Sequence, residues 1–100
     1  MAYETGDFDT VLAVAAGNDP ELLRELRAAY AESLAQQVDL LRRARCDANW
    51  LVAGQRLRSL GASFHAPRLS DLAELVLESA PGDPGIVRLL DEYAAEVSAG

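Results

Sequence analysis

From Pro20 to Ala44 the chain contains neither glycine nor an interior proline, and Leu23, Leu26, Tyr30, Leu34, Val38 and Leu41 recur at steps of three and four. That spacing places them on one stripe of an α-helix. Glu21, Glu25, Glu32 and Asp39 fall off the stripe, and Arg42, Arg43 and Arg45 gather at its end, where cations suit the helix dipole. A helix this long, with a single apolar stripe, must bury that stripe against other helices.

The remaining chain supplies them. Asp19-Pro20 and Asp83-Pro84 each pair a capping acid with a proline at the first helical position, where the missing N–H goes unused. Gly17 suits the left-handed stop of a short first helix near Phe8 to Ala16. Asp47 is the expected N-cap of a third helix, with Trp50, Ala53, Leu57, Leu60 and Phe64 inward. Gly54 and Gly61 within it weaken the helix but permit close contact. Pro67 opens a fourth helix, with Leu69, Leu72, Ala73 and Val76 inward, which Ala80-Pro81-Gly82 ends. A fifth runs from Pro84 to about Val97, with Ile86, Leu90, Tyr93 and Val97 inward, and Ser98-Ala99-Gly100 are expected to fray.

No segment has the two-residue period of a strand, and short links between long helices favour antiparallel neighbours. The expected fold is all-α: an antiparallel up-down four-helix bundle with a short additional N-terminal helix, in one domain spanning residues 1–100. Half of the residues are hydrophobic, enough for one core at this length.

Charge and residue type narrow the function. A formal net charge of −7 argues against nucleic acid, whose binding draws on clustered cations. Every basic residue is arginine, so lysine Schiff-base and Walker-type chemistry is excluded. The single cysteine, Cys46, cannot form an internal disulfide and is expected to be a half-buried small hydrophobe. No metal-ligand spacing and no cofactor motif occurs. No apolar run reaches membrane-spanning length, and Met1-Ala2-Tyr3-Glu4-Thr5 lacks the features of a signal peptide. A reducing cytoplasm is the expected location.

The stretch Ala53-Gly54-Gln55-Arg56-Leu57-Arg58-Ser59-Leu60-Gly61-Ala62-Ser63-Phe64-His65-Ala66 resembles the signature of histidine-containing phosphotransfer (HPt) domains, roughly Ala-His-x-Leu-Lys-Gly-Ser-x-x-x-Phe/Leu-Gly-Ala. The opening Asp19-Pro20-Glu21-Leu22-Leu23-Arg24-Glu25-Leu26 is similar to the family's entry into its first long helix, and Phe64-His65-Ala66-Pro67-Arg68-Leu69 to its corner after the third. The resemblance implies a phosphorelay component that docks on receiver domains. It departs from the pattern at the centre: Gln55 stands at the histidine position, Arg58 at the lysine, Ser59 at the glycine, Leu60 at a usually small residue, and His65 at the corner glycine.

A phospho-accepting histidine is a nucleophile through its neutral ring nitrogen. The amide nitrogen of Gln55 is delocalised into its carbonyl and is neither basic nor nucleophilic, so it offers only hydrogen bonds. Gln55 lies roughly 160° round the helix from the core residue Leu57, with Arg58 and Ser59 as surface neighbours. Arg58 keeps a positive charge for phosphoryl oxygens or an acidic pocket, and Ser59 keeps the surface small. Leu51 and Val52 point broadly to the same face; they either supply the apolar part of a docking patch or pack beneath the short N-terminal helix. The candidate partner-binding set is Leu51, Val52, Gln55, Arg58, Ser59 and Ala62. Arg56 is read as a solvated residue, and Trp50 as a core anchor. His65 is read as a left-handed helix cap, remote from the docking centre.

The expected function is that of a pseudo-HPt protein. It would bind the receiver domain of a response regulator or a hybrid histidine kinase without carrying phosphate, as competitor or adaptor, and without enzymatic activity. Plant pseudo-phosphotransfer proteins, with a different amide at this position, offer a precedent. Two alternatives stand beside it. One is an active phosphotransferase whose histidine was replaced for study, although the changes at Arg58 and Ser59 favour natural drift. The other is a helical homodimerisation or assembly module outside signalling. Monomer and weak dimer are both compatible with the sequence.

Overall fold

The computed structural model describes residues 10–99, which form helices and connecting turns with no strand among them. Helical residues 10–15 (α1) precede α2 (Pro20–Arg43), α3 (Asp47–Ser63), α4 (Pro67–Glu78) and α5 (Pro84–Ala99). The expected start of the first helix at Phe8 lies outside the described residues, as does Gly100; Ser98 and Ala99 remain within α5.

The helix ends follow local chemistry. The Asp19 carboxylate accepts from the N–H groups of Glu21 and Leu22, and that of Asp83 from Gly85 and Ile86, at the starts of α2 and α5. Asp47 does not cap α3. Cys46 takes that place in an extended conformation and contributes no side-chain bond, while its carbonyl accepts from Trp50 N–H at 3.0 Å. The helix therefore begins one residue earlier than the acid-first reading, and Asp47 serves in the first turn, where its charge suits the dipole.

The ends of α1 and α3 are built alike. Gly17 (φ 63°) and His65 (φ 54°) each adopt the left-handed conformation one residue past the cap. At the α3 end, Ala66 N–H bonds Gly61 C=O at 2.8 Å and His65 N–H bonds Ala62 C=O at 3.3 Å. At the α1 end, Asn18 N–H bonds Ala13 C=O and Gly17 N–H bonds Val14 C=O. Both are Schellman closures, which satisfy carbonyls that a bare helix end would leave open.

Each long helix packs against its neighbours in sequence, and α5 closes the ring against α2. Long-range pairs fix the directions. The start of α3 meets the end of α4 through Trp50 Nε1, which donates to Val76 C=O at 2.9 Å, and the end of α3 meets the start of α4 at Gly61 and Ser70. The start of α4 meets the end of α5 through the two-pronged Arg68–Glu96 pair at 2.6 and 2.9 Å. Neighbouring helices thus run antiparallel in a helical bundle.

The stripes supply most of the core: Tyr30, Leu34, Val38 and Leu41 from α2, Trp50, Ala53 and Leu57 from α3, Leu69, Ala73 and Val76 from α4, and Leu90 and Tyr93 from α5 are buried, whereas Leu23, Leu26, Leu60, Phe64, Leu72, Ile86 and Val97, also expected inward, are only partly buried against it, and Leu12, Ala44 and Ala66 join the core from outside the stripes. The buried hydroxyls of Tyr30 and Tyr93 lie 2.8 Å apart, and the Tyr30 ring packs at 4.9 Å on Phe64 at the α3–α4 corner. The Arg68 guanidinium sits 4.9 Å from the centre of the Tyr93 ring.

The closest helix contact is made through glycines. A Cβ on Gly54 would lie 2.9 Å from methyls of Leu77 and Val76, and one on Gly61 would lie 2.8 Å from Ser70 Oγ and 3.0 Å from its backbone nitrogen. Side-chain methyls can move; the backbone of Ser70 can move only with α4. Gly61→Ala is therefore expected to lower the unfolding free energy by about 1–3 kcal/mol in urea denaturation, despite alanine's better helix propensity, and Gly54→Ala by less.

The hydrogen bond from Arg68 holds the exposed Glu96 carboxyl below its ordinary range. With the folded value below the unfolded one, this contribution to stability is complete above the unfolded carboxylate's titration and is lost as pH falls through the folded value. In a carboxyl-detected NMR titration, the Glu96 midpoint is expected to rise in Arg68→Gln.

Candidate functional site

Gln55 is the middle residue of α3 and is exposed. At about 100° per residue, Ala48 and Ala62, seven positions to either side, fall within roughly 20° of it. All three are exposed, so the crest of α3 is one amide between two methyl groups. The six residues expected to bind a partner divide across this crest. Val52 and Ser59 lie on the side turned toward α2, Leu51 and Arg58 on the side turned toward α4, and Gln55 and Ala62 along the top.

On the α2 side a shallow groove of about 440 Å³ is lined by Val52, Gln55, Arg56, Ser59 and Leu60 of α3 and by Ser33 and Gln37 of α2. A second hollow of about 380 Å³ adjoins it, shares Val52 and Arg56, and extends past Asn49 to Leu40, Arg43 and Ala44. The buried carbonyl oxygen of Gln37 accepts no hydrogen bond among the described residues. Every charged side chain lining the two hollows is an arginine.

The other three lie elsewhere. Leu51 borders a separate hollow with Trp50, Leu77 and Pro81. Arg58 faces α4, with Nη1 3.4 Å from Glu74 Oε2. Ala62 stands with Val11, His65 and Ser70 at the α3–α4 corner. Leu51 and Val52 are 48% and 43% exposed, so neither is packed beneath α1. His65 is exposed at the corner, ten residues beyond Gln55, in its capping conformation. Cys46 is exposed, contrary to the half-buried expectation, because it occupies the extended cap between α2 and α3 where no helix covers it.

The principal omission of the sequence reading is Arg56. Read as a solvated residue, it borders both hollows and makes no ion pair among the described residues, whereas Arg58 is engaged by Glu74. The signal was present: Arg56 is turned about 100° from Gln55 toward the side of Val52 and Ser59. Deciding that this side faces α2 requires the handedness of the bundle. The contributions of Ser33, Gln37 and Leu40 likewise depend on how α2 and α3 are set against each other.

Chemically the face offers hydrogen-bond donors and acceptors, one cation free of acid partners among the described residues, and an apolar edge at Val52 and Leu40. Among the described residues no three His, Cys, Asp or Glu side chains gather to hold a metal ion, and no helix is long and apolar enough to cross a membrane. Comparison with protein-family models, with curated proteins and with solved structures gives no significant match.

The Arg58–Glu74 pair is half exposed on both sides, so a double-mutant cycle with Arg58→Ala and Glu74→Ala, read by chemical denaturation, is expected to give a coupling of only about 0.2–1 kcal/mol.

Proposed function

We propose that this chain is a degenerate phosphotransfer-type bundle that binds receiver domains of response regulators or hybrid histidine kinases in the cytoplasm and carries no phosphate. The observation that carries the reading is the setting of Gln55. The residue that the motif resemblance sets at the histidine position stands at the exposed midpoint of α3, between Ala48 and Ala62 and above a groove containing Val52, Ser59 and Arg56. Small neighbours let a partner approach the helix backbone, the apolar edge gives it area to bury, and Arg56 offers a charge to an acidic pocket.

On this reading the protein is an adaptor or competitor and not an enzyme. An amide presents no lone pair that attacks an aspartyl phosphate, so a receiver that docks here leaves with its phosphoryl group intact. The protein's effect is then set by occupancy: while bound, it denies the receiver to an active phosphotransfer domain.

A paired experiment tests this. Binding to receiver domains encoded near this chain is measured by calorimetry, and phosphotransfer from the phosphorylated receivers is followed for the wild type and for Gln55→His. The expected result is binding without transfer in the wild type, and binding weakened at least about tenfold by Val52→Asp. Failure to bind any receiver, or phosphate uptake by the wild-type chain, would overturn the proposal. Transfer gained in Gln55→His would support it further.

A further inference from the structure

Leu75 of α4 and Leu89 of α5 are each 42% exposed. The two-pronged Arg68–Glu96 pair ties the start of α4 to the end of α5 and fixes their register. Leu75 comes seven residues after Arg68, and Leu89 seven before Glu96. Seven residues are two turns, about 10.5 Å along the axis and within roughly 20° of the same line. Because the helices run antiparallel, both steps lead the same way, so the two leucines stand side by side across the α4–α5 seam. Leu72 and Ile86, each about 60° nearer the core, continue the apolar surface inward.

Two carboxylates straddle the same seam between the ion pair and the leucines. Asp71 is four residues before Leu75 and Glu92 three after Leu89, which sets them level to within about 1.5 Å, on the outer side of both leucines. Glu78 flanks Leu75 at the other end, in the last turn of α4, where the helix dipole disfavours an anion. Of the acids on α4 and α5, Glu74, Asp91 and Glu96 are held in ion pairs, while Asp71, Glu78 and Glu92 are in none among the described residues. Arg88, one turn before Glu92, bonds no acid among the described residues and is turned about 100° from Leu89, away from α4.

We propose that this seam is a docking face for a basic amphipathic helix of a partner protein. The apolar side of that helix covers Leu75 and Leu89, and a lysine or arginine of it enters between Asp71 and Glu92, which have no cation of their own. Charge decides the occupant. A second copy laid face to face would bring three unpaired carboxylates against three more, and an acidic segment would meet the same repulsion. A basic helix gains at both points, burying the leucines and supplying the missing cation.

In the ring of four helices the α4–α5 seam lies diagonally opposite the α2–α3 hollows and shares no residue with them. Both sides can therefore be occupied at once. The inference rests on α4 and α5 alone and stands or falls independently of receiver binding.

Amide NMR on the isotopically labelled full chain, titrated at low salt with a model peptide, tests it. The probe is a helix of about five turns with leucine and alanine on one face and lysine on the other; a control peptide carries glutamate in place of lysine. The expected result is saturable binding of the lysine peptide, with shifts centred on Leu75 and Leu89. Leu75→Ser with Leu89→Ser, and separately Asp71→Asn with Glu92→Gln, should each weaken it at least about tenfold, and Arg56→Gln should leave it unchanged. All four substituted positions on the seam are exposed, so the fold is retained. No saturation up to ~1 mM peptide, shifts spread over other faces, equal binding of the glutamate peptide, or wild-type affinity in either double variant would overturn the proposal. Concentration-dependent shifts at Leu75 and Leu89 without peptide would assign the face to a second copy and overturn it as well.

Discussion

The approach of α3 to α4 sets the geometry of the bundle. Gly54 and Gly61, seven residues apart, turn the same side of α3 toward α4, and a methyl group would press on movable side-chain methyls at the first and on the Ser70 backbone at the second. With no side chain on α3 at these two positions, Leu77, Val76 and Ser70 of α4 pack directly on its backbone, and Trp50 reaches the Val76 carbonyl at one end while the turn through His65 closes the other. α2 and α5 then cover the remaining apolar surface, with Tyr30 and Tyr93 meeting between them.

That contact also determines which part of α3 stays open. A helix drawn toward α4 by its glycine side and toward the core by Leu57 leaves the opposite arc to solvent, and Gln55 lies within that arc. The same geometry separates the two arginines around Gln55. Arg58 leans to α4 and meets Glu74, while Arg56 leans to the α2 groove, which offers it no acid among the described residues. In a chain with sixteen acidic residues and nine basic ones, the charged lining of the two hollows is arginine alone, Arg43 being paired with Asp39 and Arg56 with no acid among the described residues.

The helices were legible in the sequence because their signals are local. Asp19-Pro20, Pro67 and Asp83-Pro84 mark helix starts by their own chemistry, and the stripe from Leu23 to Leu41 marks the buried side of α2 by its period. The left-handed turn at His65 was legible for the same reason. The N-cap of α3 was not. Asp47 is the better capping residue, but the three-residue link from α2 begins the helix at Cys46, and link geometry is not encoded in capping preference. The site was legible along α3 and illegible across it: Val52, Gln55 and Ser59 follow from helix spacing, whereas Arg56, Gln37 and Leu40 join them through the lateral setting of two helices, which no single-helix pattern carries.

The carbonyl oxygen of Gln37 concerns the seam between α2 and α3 more than the groove above it. It is buried by the protein itself and has no donor among the described residues, although its side chain helps to line the groove. A buried acceptor without a donor costs on the order of 1–3 kcal/mol, and the fold carries that cost whether or not the groove is occupied. The seam that shapes the groove is thus also a place where the bundle gives up stability, a feature invisible in a count of apolar area.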